Sequence, residues 1–220
     1  MNPLSILRDA WNFYIRHLGA IARLCLPLIC LESLAMLGFE RWRGTSSEPL
    51  QEVLLGLLFY PLYNGALILY LDARSRGLPT RDGDLLAQSL RLWPRLALLT
   101  GLSTLLVMLG ASLMLLPGIW VMVKLAFADY LLVLRGQAPL EAVKESFRLS
   151  RGHFLPILLC VLVVTLPFWL LDGWLHERLG EHPELLANLL LDAASSFLQL
   201  FGTVTVFRLF MLREAAPEPQ

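Results

Sequence analysis

The chain has 220 residues, of which 56% are hydrophobic and only 16% are charged, and its mean hydropathy is +0.62. A soluble domain needs about 25% charged residues, so this composition excludes an ordinary soluble protein and predicts an integral membrane protein. The 18 basic residues balance the 18 acidic residues, so net charge indicates no polyanionic partner and we expect no nucleic acid binding. Cys25, Cys30 and Cys160 lie in apolar runs without metal-ligand spacing, so we expect neither a metal nor another cofactor.

Six apolar segments are long enough to cross a membrane as helices, which requires about 20 residues each. In chain order they are about Leu18–Phe39, Val53–Leu71, Leu96–Leu116, Gly118–Leu134, Phe154–Leu171 and Leu185–Phe207. Pro117 and Gly118 separate the third span from the fourth, and this turn signal predicts a tight helical hairpin. The connecting segments are too short to fold separately, so residues 1–220 are predicted to form one membrane domain.

Basic residues concentrate in the N-terminal segment, in the loops after spans two and four, and in the C-terminal tail. The loops after spans one, three and five hold only Arg41, Arg43 and Arg178 as cations, beside several acidic residues. Because Lys and Arg are retained on the cytoplasmic side of a membrane, both termini are predicted to be cytoplasmic.

Three amphipathic segments precede the first, third and fifth spans, and their similarity predicts an internal repeat. They read "PLSILRDAWNFYIRHL" from Pro3, "DGDLLAQSLRLWPRL" from Asp82 and "PLEAVKESFRLSRGHF" from Pro139. The first aligns with the third at a shift of 136 residues, and the second aligns with the third at a shift of 57, with Pro94 expected to break the second copy before its span. The predicted fold is therefore all-α, with six transmembrane helices in three repeats of an interfacial helix plus a transmembrane hairpin, over about residues 2–72, 82–135 and 138–212.

The basic residues of these segments are candidates for binding lipid headgroups, since cationic side chains at the cytoplasmic interface attract anionic lipids. They are Arg16, His17, Arg91, Arg95, Arg148, Arg151 and His153. The alternative is that the amphipathic helices only cap the bundle and fix its topology.

Five polar side chains lie within predicted spans, where burying an ionisable group costs about 2.5–3.5 kcal/mol and requires a reason. They are Glu32, Asn64, Lys124, Asp129 and Asp192. Helix rise places Lys124 at a depth similar to Glu32 and Asp192, so we expect an ion pair with one of them, or a Lys124 side chain that extends to the interface. A polar cavity that admits a headgroup or a small substrate is the other interpretation, and Asp129 has no evident partner.

The stretch "LPGIWVMVKLAFADYLLVLRGQAPLEAVKESFRLSRGHF" resembles the YciC-type bacterial inner-membrane proteins and is similar to the membrane domain of some glycerophosphodiester phosphodiesterases. The matching positions are Pro117, Gly118, Lys124, Gly136, Ala142, Ser146, Arg148 and Gly152. Asp129 departs from the pattern, and we expect no phosphodiesterase domain beside the helix bundle. The resemblance implies a protein of the bacterial inner membrane, with an uncharacterised molecular activity linked to lipid or envelope physiology, and it supplies no catalytic residue.

The sequence therefore predicts a non-enzymatic, lipid-interacting protein that organises the membrane or assists another envelope protein. Membrane phospholipids are the expected partners, beside an envelope protein or a second copy of the chain. The alternative function is a small permease with a polar site between helices, in the region of Lys124 and Asp192. A permease requires a polar path that includes Asn64 and Asp129 on facing helices, whereas the lipid-binding function predicts a closed outer bundle with grooves on the cytoplasmic side.

Overall fold

The computed structural model describes residues 3–43, 49–152, 154–179 and 185–214. This part of the chain is helical, as the composition predicts. The helices are α1 Pro3–Arg43, α2 Pro49–Ser75, α3 Asp82–Leu113, α4 Leu115–Leu125, α5 Ala128–Arg135, α6 Pro139–Leu149, α7 Phe154–Leu179 and α8 Leu185–Glu214.

Five helical segments among the described residues are long and apolar enough to cross a membrane. They are Ser5–Phe39, Val53–Ser75, Asp82–Leu113, Leu116–Arg135 and Ser195–Glu214. The helix pair Pro139–Leu149 and Phe154–Val164, bent by 107°, makes a sixth if the two are counted as one broken span. The structure thus agrees with five or six spans. The number depends on whether the bent pair, whose second helix begins the predicted fifth span, is counted as one span.

Two of the three predicted interfacial helices are not separate helices. The first amphipathic segment is the start of α1, which runs without interruption for 41 residues, or about 60 Å. The second is the start of α3, which continues through Pro94. The expectation that Pro94 breaks this copy is therefore wrong, because the helix absorbs the proline in its interior, as helices packed among other helices can.

The hairpin between α3 and α4 turns three residues earlier than predicted. Met114 has extended backbone angles and ends α3, while Pro117 lies in the first turn of α4, where a proline removes no helical hydrogen bond. Gly118 lets the two helices approach closely, since a Cβ at this position would lie 3.0 Å from the Cα of Ala111.

The third amphipathic segment forms a separate helix, α6, which packs against the bundle through small side chains. Leu140 is 64% exposed, whereas Ala142, Ser146 and Ser150 are fully buried. Their small side chains allow close contact with α3, α4 and α5. Gly136 ends α5 with a φ of 65°, and Gly152 has a φ of 75° in the bend before α7, so both positions use backbone angles that other residues rarely adopt.

The helices pack mainly with their neighbours in the chain, and α8 closes the bundle against α1 and α7. The buried core includes Ile21 and Leu24 of α1, Leu67 of α2, Leu131 of α5 and Phe210 of α8. This arrangement brings α2, α5 and α8 together around the polar side chains described next.

Candidate functional site: a polar cavity inside the helix bundle

Three polar side chains from three helices form a hydrogen-bonded chain in the interior. The side-chain amide of Asn64 in α2 donates to the Asp129 carboxylate in α5, with 3.0 Å between Nδ2 and Oδ2. The hydroxyl of Thr203 in α8 donates to the Asn64 carbonyl oxygen at 3.3 Å. The Tyr130 hydroxyl then donates to the backbone carbonyl of Thr203 at 2.8 Å. Asn64, which is only 3% exposed, therefore uses both ends of its amide to join α5 to α8.

A break in the fourth apolar segment positions Asp129. The helix stops at Leu125 and starts again at Ala128, which places Asp129 in the first turn of α5. The Ser146 hydroxyl of α6 bonds to both sides of this break: it donates to the Lys124 carbonyl at 2.7 Å and accepts from the Phe127 N–H at 3.2 Å. The start of a helix favours a negative charge, so the break also provides a suitable electrostatic environment for the carboxylate.

Contacts between α2 and α3 position Asn64. Pro61 lies inside α2, and the nearby carbonyls of Leu58 and Leu62 accept hydrogen bonds from Trp93 and Ser89 of α3, at 2.9 and 2.7 Å. The neighbouring helix thus supplies the donors expected around a proline within a span, which leaves the Asn64 side chain free to bond to Asp129.

The Asn64–Asp129 pair lines a cavity of about 490 Å³ between α2, α3, α4, α5, α7 and α8. One part of its wall is polar and is formed by Tyr60, Asn64, Thr100, Ser103, Thr104, Asp129, Tyr130, Gln199 and Thr203. The rest is mainly apolar and includes Val107, Met108, Met122, Leu125, Val161, Val164 and Val206. Met108 is 59% exposed and Met122 is 38% exposed, so the cavity reaches the outer surface of the bundle beside α3 and α4. Its shape and lining suit a molecule with one polar end and one apolar end.

The other intramembrane candidates lie elsewhere. Glu32 hydrogen-bonds to the Tyr63 hydroxyl. Lys124 is 8% exposed, and its ammonium lies 5.7 Å from the centre of the Trp120 ring, which is a cation–π contact. Lys124 and Glu32 therefore have different partners, so the first of the two ion pairs expected for Lys124 is not formed, and the pair with Asp192 stays a prediction. Asp192 lies in α8, and its side chain is outside the described residues.

The lipid-headgroup candidates are distributed over several surfaces. Arg16 and His17 lie together in a groove between α1 and α8. Arg91 and Arg95 are exposed on α3, and Arg148 pairs with Glu145 at 2.8 Å. Arg151 is exposed and close enough to Lys124 to repel it electrostatically, while His153 lies outside the described residues.

Residues 50–212 match the model of an uncharacterised protein family, UPF0259. The chain belongs to the UPF0259 family. It is also 26% identical over 204 residues to a UPF0259 membrane protein of Sodalis glossinidius (strain morsitans), an alignment that covers 91% of this chain and 78% of that protein. No solved structure matches the chain. The YciC-type resemblance agrees loosely with this assignment, while these matches do not show the resemblance to glycerophosphodiester phosphodiesterases.

The UPF0259 match bears on the cavity because all of the cavity's lining residues, from Tyr60 to Val206, fall within the matched range. Family membership places this chain among membrane proteins of uncharacterised activity. The geometry of the cavity is therefore the starting point for a functional proposal.

Several residues of the cavity were not predicted from the sequence, although they follow a recognisable pattern. Thr100, Ser103 and Thr104 lie at helical spacing on one face of α3, as do Gln199, Gly202 and Thr203 on α8. Each residue alone is unremarkable in a membrane helix, whereas a polar stripe along one face indicates a cavity or a contact within the bundle. The stripe is the signal that could have identified these two walls.

Proposed function

We propose that this UPF0259 protein is a multi-pass protein of the bacterial inner membrane, with both termini in the cytoplasm, that binds a phospholipid in the Asp129 cavity. The observation that carries the proposal is a cavity with a carboxylate at a polar wall and an apolar remainder that reaches the bundle surface. The proposed role is non-enzymatic, in organising the membrane or assisting another envelope protein.

The carboxylate favours a lipid whose headgroup donates hydrogen bonds. An ionised carboxylate has about four acceptor positions, and Asn64 takes one of them with its amide. A headgroup ammonium would bond to the remaining positions through charge-assisted hydrogen bonds, which are stronger than neutral ones. The expected ligand class is therefore a phospholipid with an ammonium headgroup, its acyl chains lying along the apolar wall.

Lipid retention tests this proposal. The protein is purified in a lipid-preserving detergent, incubated with equal amounts of phosphatidylethanolamine and phosphatidylglycerol, and analysed by native mass spectrometry. We expect the wild type to retain phosphatidylethanolamine preferentially and Asp129→Asn to bind it about tenfold more weakly, because the substitution removes the charge and keeps the size.

The matched control is Asp84→Asn, the same substitution at an exposed position in the first turn of α3. It should retain lipid like the wild type. Equal retention by the wild type and Asp129→Asn, or an equal loss in both variants, would contradict the assignment of the cavity.

A permease is the second candidate, favoured by two observations at the cavity: Asn64 and Asp129 meet there from facing helices, and the helix is interrupted between α4 and α5. Interrupted helices supply polar helix ends to the binding sites of many transporters. Reconstitution in liposomes with phosphatidylethanolamine labelled on an acyl chain separates the two functions: transport predicts movement of the probe between leaflets that Asp129→Asn abolishes. Binding without movement supports the lipid-binding function.

We also infer the three-repeat organisation, which one structural correspondence supports. Ala10, Ser89 and Ser146 occupy equivalent positions at the sequence shifts of 136 and 57, and all three are fully buried. The hydroxyls of Ser89 and Ser146 each donate to a carbonyl in the preceding apolar segment, Leu62 and Lys124, at 2.7 Å. Two of the three proposed repeats thus place a serine against the preceding apolar segment, and the first has a buried alanine at the aligned position.

A further inference from the structure

A second hollow lies across α8 from the Asp129 cavity. This α1–α8 groove has a volume of about 490 Å³ and runs between the first part of α1 and the last part of α8, beside the end of α2. Its polar lining consists of Asp9, Asn12, Arg16, His17, Ser75 and Arg208. Thr203 and Val206 face the cavity, whereas Val204 and Phe207 line the groove, so α8 separates the two hollows.

Two guanidinium groups give the groove its charge. Arg208 contacts Asp9 through a loose ion pair, with 3.6 Å between Nη2 and Oδ2 and side chains that are 45% and 51% exposed. An exposed pair at this distance leaves most donors of the guanidinium available. Arg16 has no ion-pair partner within the described part of the chain, so the groove carries more positive than negative charge.

His17 is held in a defined orientation at the same place. Its Nδ1 lies 2.9 Å from the Phe13 carbonyl oxygen, and the ring stacks on Phe13 with 4.3 Å between ring centres. Because a carbonyl only accepts hydrogen bonds, Nδ1 carries the hydrogen, and Nε2 is the nitrogen left for a ligand.

The groove lies at one end of a helix that is long enough to cross a membrane, where lipid headgroups are expected. Ser75, which lines it, is the last residue of the apolar segment Val53–Ser75. Phe13 and Phe207 add apolar surface beside the arginines. We propose that the α1–α8 groove binds a phosphate group through Arg16 and Arg208, whose planar guanidiniums match phosphate oxygens. The phosphate belongs either to an anionic phospholipid or to a free phosphate, and its site is independent of Asp129.

Calorimetric titration of the detergent-solubilised protein tests the site with two probes, dioctanoyl phosphatidylglycerol and inorganic phosphate. We expect at least one probe to bind the wild type. The double variant that combines Arg16→Gln and Arg208→Gln should bind this probe about tenfold more weakly, or weaker still. Binding of the lipid alone identifies a headgroup site, and binding of inorganic phosphate identifies a site for the free anion. The failure of both probes to bind would overturn the proposal.

Three further variants separate recognition from folding and from general charge. Arg91→Gln with Arg95→Gln removes the same charge from the exposed face of α3 and should leave affinity unchanged. Arg16→Lys with Arg208→Lys keeps the charge and should retain part of the affinity. Asp9→Asn should tighten binding several-fold, because it releases Arg208 from its competing carboxylate. Weaker binding by Asp9→Asn than by the wild type would refute the site. So would a loss of affinity in the Arg91 and Arg95 variant that equals the loss in the Arg16→Gln and Arg208→Gln variant.

Discussion

Two serine contacts at aligned positions of the proposed repeat have different consequences for the bundle. Ser89 and Ser146 are both fully buried, and each donates to a carbonyl of the preceding apolar segment at 2.7 Å. At Ser89 the partner helix α2 is continuous. At Ser146 the partner is interrupted, and the hydroxyl also accepts from the Phe127 N–H. A hydroxyl that both donates and accepts replaces helical hydrogen bonds, and this permits the break that places Asp129 at the start of α5.

Removal of the Ser146 hydroxyl should have the largest effect. Ser146→Ala leaves two buried backbone groups without their partner, which we expect to cost about 2–4 kcal/mol in the free energy of unfolding. Thermal or SDS unfolding in detergent measures the loss. Ser112→Ala is the matched control: its exposed hydroxyl bonds only to the Leu109 carbonyl of its own helix, so a change below about 0.5 kcal/mol is expected.

Ser89→Ala should cost less, about 1 kcal/mol, because it removes one hydrogen bond from a carbonyl that lies within a continuous helix. The same unfolding measurement orders the two serines. A loss at Ser89 equal to or greater than that at Ser146 would show that the break in the fourth segment does not depend on the serine.

The glycines at either end of α6 should give losses no larger than that of Ser89→Ala. Gly136→Ala and Gly152→Ala should each cost about 1 kcal/mol, since alanine is strained at their φ values of 65° and 75° although open space surrounds both. Gly83→Ala, in the first turn of α3 with open space and no positive φ, should instead be neutral or slightly stabilising. If Gly83→Ala is destabilised by the same amount, the loss of stability in Gly136→Ala and Gly152→Ala is not caused by their positive φ angles.

The apolar spans could be predicted because a bilayer requires about 20 apolar residues per helix, whatever the neighbours. The boundaries between helices depended on contacts that the sequence does not display. Pro94 remains inside α3, and α6 packs into the bundle through the small residues Ala142 and Ser146, which hydropathy alone does not mark as packing contacts.

The sequence identified Asn64 and Asp129 as polar residues whose place within an apolar span requires an explanation, but it did not identify them as partners. They are 65 positions apart, and their contact depends on how α2 and α5 pack. The expected partners of Lys124 were inferred from depth alone, whereas the cation–π contact with Trp120 depends on side-chain direction within one helix. Depth along a span follows from helix rise, while the facing side of a helix follows from tertiary packing.

The most direct test of the lipid-binding cavity is an electron cryomicroscopy map of the protein in nanodiscs that contain phosphatidylethanolamine. We predict density for one lipid between α3 and α8, with its headgroup amine about 3 Å from the Asp129 carboxylate. A bundle in which side chains fill this space, with Asp129 bonded only to protein, would contradict the account.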